Sequence, residues 1–268
     1  EEAKEKCHAG MKILIREGSA ARNVENIVPG LIHDPQDMKN YMFCTDDKHL
    51  DTIENEGHIR YNVKKSISLG MEPIQAIAMA TCHAADTYGL DKAGILEEGR
   101  DADIVVLDSL ENVDVFAVYK KGKKVCSEMF DIPVRPVKES MLHTVILKDL
   151  SEEKIQVKVK GKIPVIGMIP GQIVTQFLTE EVPSKDGFFI PNETYSKLCV
   201  FERHRNTGNA AAAPIRGYGI TGGAIATSVA HDSHNIIAAG DNDEDILCAA
   251  KAIEEMQGGY VLVSDRKS

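Results

Sequence analysis

Residues 43–47 read Phe43-Cys44-Thr45-Asp46-Asp47 and join a short apolar stretch to two adjacent carboxylates. The apolar residues predict a buried β-strand that ends at Thr45. In a (β/α)₈ barrel the loops at the carboxyl ends of the strands carry the reacting groups, which would give Asp46 a chemical role. The alternative is that Asp46 caps the helix that follows. These five residues alone leave both interpretations open.

The chain around this stretch has the helix–strand–loop order of an α/β protein. The pattern predicts helices over Glu1 to His8 and Ser19 to Val28, strands over Met11 to Arg16 and Tyr41 to Thr45, and a loop over Pro29 to Lys39. Two consecutive strands that feed polar loops fit the last two strands of a barrel. The other strands of that barrel are then expected upstream of residue 1.

Polar side chains also follow the first of these two strands. Glu17 and Ser19 come directly after it, and barrel topology places them at the barrel mouth, where they are candidates for substrate binding. Arg16, the last residue of the strand, is a candidate for pairing with an acid.

The middle of the sequence predicts helices and then a small β unit. Apolar residues fall at helical spacing over Gly57 to Leu69 and Pro73 to Tyr88, which suits helices on the outside of a barrel. Strands are predicted over Asp103 to Leu107, Val115 to Tyr119 and Lys123 to Cys126. We therefore divide the chain into a barrel part (1–90), a β-sandwich segment with a linker (91–136) and a C-terminal α+β domain, truncated at its end (137–268).

The C-terminal domain is rich in predicted strands. Its strands are expected over Leu142 to Leu147, Ile155 to Val159, Val165 to Ile169, Gln172 to Leu178, Leu198 to Glu202 and Tyr260 to Ser264. An apolar run covers 224–230, and 242–256 reads as an amphipathic helix capped by its first residue, Asn242.

Composition excludes several classes of function. The chain has 31 basic and 41 acidic residues, a net charge of -10, which argues against nucleic acid or an anionic membrane as partner. Its six cysteines are scattered with no C-x-x-C spacing, as is typical of buried thiols in a reducing compartment, so we expect a cytoplasmic protein. With no apolar run of membrane-spanning length and no charged-then-apolar start, we expect neither a membrane span nor a secretory signal.

Two polar clusters in the C-terminal domain are candidates for a site. His231-Asp232-Ser233-His234-Asn235 lies between two apolar runs, where it forms a structural turn, an active-site or interface loop, or a separate metal site. Glu202 and His204 follow a predicted strand and either clamp a substrate edge or form a salt bridge across the sheet.

Several longer runs resemble known families. The run Gly94-Ile95-Leu96-Glu97-Glu98-Gly99-Arg100-Asp101-Ala102-Asp103 resembles the segment that closes the barrel of the amidohydrolase superfamily, in which an acid such as Asp46 joins a metal site. Further runs are similar to bacterial and archaeal adenine deaminases; they are Ile15 to Asn23, Phe201 to His204, Gly222 to Ser228, Val229 to Ile237 and Gly240 to Asp245.

The resemblance implies hydrolysis of adenine to hypoxanthine and ammonia in purine salvage, with Mn²⁺ or Fe²⁺ activating the attacking water. Asp46 would be both metal ligand and proton carrier, and Glu17, Ser19, Glu202, His204, His231, Asp232 and His234 would be candidate substrate-binding residues. The family's other metal ligands are expected upstream, so the chain alone should be inactive.

Two barrel strands leave open edges, so we expect the chain to associate with the missing barrel half or as a homo-oligomer. The alternatives are another metal-dependent cyclic amidohydrolase and a non-catalytic assembly module.

Overall fold

The computed structural model describes residues 1–35, 37–131, 133–170 and 173–265. The chain divides into two compact units, Glu1–Val134 and Arg135–Ser268. Each unit has a hydrophobic core of its own. The boundaries expected at residues 90 and 136 stay predictions.

The first unit contains two parallel strands, β1 (Ile13–Arg16) and β2 (Tyr41–Cys44), paired from Ile13↔Tyr41 to Arg16↔Cys44. Its helices are α1 (Glu2–His8), α2 (Val24–His33), α3 (Leu50–Glu56), α4 (Ile59–Ser68), α5 (Pro73–Ala80) and α6 (Cys82–Tyr88). Because α2 connects parallel strands, their carboxyl ends meet at the same edge. The mixed α/β class is confirmed, and a closed barrel stays a prediction.

The second strand of this pair is buried on both of its faces. Tyr41, Met42 and Phe43 are all buried. Continuous burial is typical of a parallel strand covered on both sides, and it explains why this stretch is apolar without alternation.

The predicted end of the second helix is wrong. Helix α2 begins at Val24 and runs through Pro29 to His33, although a loop was expected from the proline onward. Val24, Val28 and Leu31 are buried on one helical face, so core packing continues past the proline and outweighs its missing hydrogen bond.

The single helix predicted over 73–88 is two helices. They meet at Thr81, whose backbone leaves the helical region with φ -128° and ψ -93°. The hydroxyl of Thr81 donates to the carbonyl oxygen of Ile77 at 2.7 Å. Such back-bonding favours a bend in a helix, and here it coincides with the break.

The unit ends in an antiparallel sheet of β3 (Ile104–Leu107), β4 (Val115–Lys120) and β5 (Lys123–Lys124), in that spatial order. The last strand is shorter than expected. A sandwich of two such sheets stays a prediction.

The second unit is built on a mixed sheet of seven strands. In chain order the strands of this unit are β6 (Ile163–Met168), β7 (Thr175–Glu180), the hairpin β8 (Ser184–Lys185) and β9 (Phe188–Phe189), β10 (Tyr195–Phe201), β11 (Ala210–Arg216), β12 (Ala224–Thr227), β13 (Ile236–Gly240) and β14 (Tyr260–Val263). The sheet order is β14-β12-β13-β10-β11-β6-β7, with only the β11–β6 pair parallel.

One long helix, α7 (Asp243–Met256), covers part of this sheet. It packs on β12, β13 and β14, and its residues Ile246, Ala249, Ala250 and Ile253 are buried in the core. The capped helix predicted from Asn242 is thus confirmed. Among the residues that the structure describes, no helix is long and apolar enough to span a bilayer.

Two strands predicted in this unit are wrong. Residues 142–147 form no regular strand, because side chains from α7 and its C-cap bind their backbone: Gln257 bonds both the N–H and the carbonyl of Val145, and Glu254 accepts from the N–H of Leu147. Residues 155–159 contain the end of a 3₁₀ turn and a single bridge from Lys158.

Two further differences concern sheet strands. β11 was missed because it is mostly alanine with one proline, residue types that are depleted in strands. The strand expected from Gln172 begins at Thr175, and residue 172 itself lies outside the described residues.

Asn242 is a local test of this unit. Its Oδ1 accepts from the backbone N–H of Asp245 at 2.8 Å, and its Nδ2 donates to Asp241 and Asp245. We expect Asn242→Ala to lower the free energy of unfolding by about 1–2 kcal/mol, measured by denaturant unfolding. Glu255→Ala, at an exposed position of the same helix, should change it by less than about 0.5 kcal/mol. Equal losses in the two variants would contradict the capping role.

Candidate functional site

The loops that follow β1 and β2 interlock at the carboxyl edge of the two strands. The backbone N–H of Glu17 donates to the carbonyl oxygen of Cys44 at 3.2 Å, and that of Ser19 donates to Asp47 at 3.3 Å. A Cβ atom on Gly18 would lie 2.9 Å from the carbonyl oxygen of Thr45. The two loops therefore approach as closely as glycine permits.

Asp46 projects from this edge. Its side chain is 38% exposed, and its backbone has the left-handed φ of 58°, which aspartate tolerates better than most residues. Oδ2 accepts a hydrogen bond from Nη1 of Arg16 at 3.0 Å. The alternative that Asp46 caps the next helix is wrong, because α3 begins at Leu50 and its N-cap is His49.

The side chain of Ser19 binds to the start of α3. Its hydroxyl donates to Oγ1 of Thr52 at 2.8 Å and accepts from the backbone N–H of His49 at 2.9 Å. The hydroxyl therefore anchors the start of α3. Substrate binding by Ser19 stays a prediction.

Glu17 lies inside the unit, with its side chain 0% exposed. Its Oε2 accepts from the N–H of Val24, the first residue of α2, at 3.1 Å. Its Oε1 accepts from Nζ of Lys65 on α4 at 2.7 Å. These are the contacts of a structural ion pair at a helix N-terminus, and substrate binding by Glu17 stays a prediction.

Glu17 belongs to a network of three cations and three carboxylates. Its members are Arg22, Lys48, Lys65, Glu17, Glu25 and Glu56. Nζ of Lys48 lies 4.3 Å from the ring centroid of Tyr61, and the Lys48 side chain is only 1% exposed. Equal numbers of opposite charges, with the Tyr61 ring centroid within 6.0 Å of all three cations, make this burial tolerable.

Burial and hydrogen bonding have opposite effects on the pKa of Lys65 in this network. Burial lowers the pKa of Lys65, but hydrogen bonds to Glu17 and Glu25 raise it by more, and it lies above its usual value. The sequence analysis did not identify Lys65 and Tyr61 as members of this network. Their i,i+4 spacing places them on one face of α4, and this spacing is the one pattern that could have indicated it.

In the second unit two candidate loops lie side by side. Phe201 at the end of β10 pairs with Ile236 at the start of β13, so the loops 202–207 and 230–235 are neighbours. Nε of Arg203 donates to the carbonyl oxygen of His234 at 2.6 Å, and Nε2 of His204 lies 2.8 Å from that of Ser233. The structure thus brings together the two polar clusters of the sequence.

The carboxylate of Glu202 binds residues of its own loop. It accepts from the backbone N–H groups of His204, Arg205 and Thr207 at 2.5, 2.7 and 3.0 Å, and from the Thr207 hydroxyl at 2.8 Å. These hydrogen bonds lower the pKa of Glu202 to about 2, and the bond from the Thr207 N–H has the largest effect. The contacts close the loop, whereas a substrate clamp would leave an oxygen available.

The His231 cluster is folded as a turn. The N–H of His234 bonds the carbonyl oxygen of Ala230 at 2.5 Å, and the rings of His231 and His234 meet edge to face with centroids 4.9 Å apart. His231 and Asp232 are exposed at its tip. The roles of His231, Asp232 and His234 stay predictions.

The described residues contain no complete set of metal ligands. Within the described ranges, no group of three or more His, Cys, Asp or Glu side chains is placed to hold an ion. A catalytic metal commonly takes three protein ligands. Asp46 offers one exposed carboxylate, so the described residues alone do not fit a catalytic metal.

Each of the two units contains a match to the model of a known protein family. Residues 10–127 match the model of the amidohydrolase family, and residues 172–268 match the adenine deaminase C-terminal domain. The likeness to the β-aspartyl dipeptidase of Fervidobacterium islandicum AW-1 is weak, with TM-score 0.38, 16% identity, and coverage of 46% of this chain and 35% of that chain. The first unit is therefore similar to the amidohydrolase family.

Two relatives that align with almost the whole chain are both named adenine deaminase. The chain is 48% identical over 266 residues to an adenine deaminase of Desulfitobacterium hafniense (strain Y51), covering 99% of this chain and 47% of that protein. It is 40% identical to an adenine deaminase of Petrotoga mobilis (strain DSM 10674 / SJ95), again with 99% and 47% coverage. Along almost its whole length the chain is thus similar to proteins named adenine deaminase, and it spans about half the length of the curated relatives it matches.

The Glu17–Lys65 pair gives a test of the first unit. Lys65→Met leaves the Glu17 carboxylate buried, with the nearest other cation, Nη1 of Arg22, 3.9 Å away. We expect the free energy of unfolding to fall by about 3–5 kcal/mol, measured by urea unfolding. Lys64→Met, at the exposed neighbouring position 3.8 Å from Asp114, should cost less than about 1 kcal/mol. Comparable losses from both would overturn the structural role of the pair.

The lowered pKa of Glu202 predicts a pH dependence of stability. A carboxyl whose pKa falls from 4.5 to about 2 on folding contributes stability that is present above pH 4.5 and lost as pH falls through about 2. We expect Glu202→Gln to unfold more readily than the parent at pH 7, with the difference shrinking toward pH 2. Thermal melts across this range measure it, with Glu193→Gln as the exposed control. A difference independent of pH would contradict the assignment.

Proposed function

We propose that the complete protein, of which this chain is the C-terminal half, hydrolyses adenine to hypoxanthine and ammonia. The observation that carries the proposal is similarity along almost the whole chain to proteins named adenine deaminase. Two family matches, one in each unit, support it. Purine salvage in the cytoplasm and assembly as a homo-oligomer belong to the same proposal.

A divalent metal, Mn²⁺ or Fe²⁺, would supply water activated at neutral pH in the complete site. This chain offers Asp46 as one ligand, and the remaining ligands would come from the other half of the protein. The exposed position of Asp46 at the carboxyl edge of β1 and β2 supports this, because that edge is where barrel enzymes assemble their sites.

Asp46 would also move the proton of the reaction. Its Oδ2 is bonded to Arg16, and among the described residues no hydrogen bond engages Oδ1. Oδ1 can accept a proton from the attacking water and deliver it to the amino group that leaves C6 as ammonia. General acid–base catalysis of this kind needs one carboxylate oxygen accessible to the substrate, and the 38% exposure of the Asp46 side chain supports this role.

For the second unit, taken by itself, substrate binding by its exposed loop residues is a separate proposal. His204, His231 and Asp232 are exposed, and their side chains offer donors and acceptors suited to the edge of a purine. His234 would orient His231 through their edge-to-face contact. Glu202 would act by shaping its loop, and Ser19 and Glu17 by fixing the loops around Asp46.

The test is Asp46→Asn in the complete protein, assayed for ammonia and hypoxanthine. We expect kcat to fall by at least about 100-fold while the fold is retained, because the proton carrier is lost. Asp47→Asn is the neighbouring control and should be milder, because Asp47 is half-buried in the same loop whereas the side chain of Asp46 is exposed. An Asp46→Asn enzyme that kept more than about a tenth of the parent kcat would sink the assignment, given the usual size of this effect.

A further inference from the structure

Arg16 bridges the candidate catalytic carboxylate and a second, uncharged partner. Its Nη1 donates to Oδ2 of Asp46 at 3.0 Å, and its Nε donates to Oδ1 of Asn23 at 2.9 Å. The guanidinium is planar and presents its donors in a fixed fork, so two such contacts fix its orientation as well as its position.

Asn23 is dedicated to this contact. It occupies the N-cap position of α2, where an asparagine side chain usually bonds the helix N–H groups, but here it makes no such bond. The first N–H of the helix, that of Val24, is bonded by Glu17 instead. The buried Glu17 carboxylate thereby leaves the Asn23 amide available to hold Arg16.

The backbone of Arg16 is held as firmly as its side chain. Arg16 lies in β1 in register with Cys44 of β2, and its carbonyl oxygen accepts from the N–H of Asn23 at 3.0 Å. The next residue is the fully buried Glu17. By contrast, Asp46 lies in an exposed loop with a left-handed backbone.

From this geometry we infer that Arg16 is a positioning residue, which holds Oδ2 of Asp46 and leaves Oδ1 directed to the reacting groups. The inference rests on the proposed function of Asp46. Arg16 acts through Asp46 and does not itself touch substrate. Lysine at this position would supply a charge but not the fork that contacts both partners.

The experiment compares variants of the complete protein in the adenine assay. Arg16→Met should lower kcat by about 100-fold, the size expected when a reacting group is misplaced by about 1 Å, with little change in KM. Arg16→Lys should recover only part of this loss. Arg60→Met is the matched control, because Arg60 makes a comparable exposed pair with Asp114 at 2.9 Å, and it should keep the parent kcat.

A double-variant cycle separates positioning from general destabilisation. Asn23→Ala should lower kcat by about 10-fold, and adding it to Arg16→Met should cause no further loss, because Asn23 acts through Arg16. Additive losses, about 1,000-fold in the double variant, would overturn the chain of contacts.

Hydrogen exchange gives a readout independent of activity and of metal. In the metal-free protein, Arg16→Met should speed amide exchange in residues 45–48, whereas Arg60→Met should leave it unchanged. Unchanged exchange together with unchanged kcat in Arg16→Met would overturn the positioning role. An inactive parent enzyme would overturn the proposed function and the inference with it, so the two failures are distinguishable.

Discussion

The first unit depends on one buried carboxylate. Glu17 carries its charge into the interior, where the ammonium of Lys65 and the first N–H of α2 bind it directly and Nη1 of Arg22 lies 3.9 Å away. An ionised group without those partners would cost several kcal/mol, so β1, α2 and α4 must keep their relative positions for the carboxylate to remain there. A single side chain thereby ties the end of β1 to the start of α2 and to Lys65 on α4, 48 positions further along the chain.

The position of Asp46 follows from that constraint. With Glu17 anchored, Gly18 lies against the backbone of Thr45, and the N–H of Glu17 bonds the carbonyl of Cys44 at the end of β2. The loop after β2 consequently leaves the sheet at a defined point. Arg16 directly precedes the anchored Glu17, so its side chain is held at this point, where it donates to Asp46. Fixed backbone close to a reacting group is what a precise site requires.

Local patterns predicted local structure well and long-range structure poorly. The strands β1 and β2 and the capped helix α7 were visible as apolar runs or helical spacing. Pro29 inside α2 and the alanine-rich β11 were not, because packing against distant residues decides both. Residues 142–147 resemble a strand in sequence, but side chains more than 100 positions away satisfy their backbone.

The candidate site shows the same limit. Asp46 is a candidate because it follows an apolar strand at the point where barrel enzymes carry their reacting groups, and its role in a site stays a prediction. Glu17 was predicted to lie at the barrel mouth. The residues around it in the sequence do not indicate that it forms an ion pair with Lys65, 48 positions later. Glu202 is a similar case: an acid before a polar turn looks alike whether it binds substrate or its own loop. Only the four donors around its carboxylate distinguish these roles.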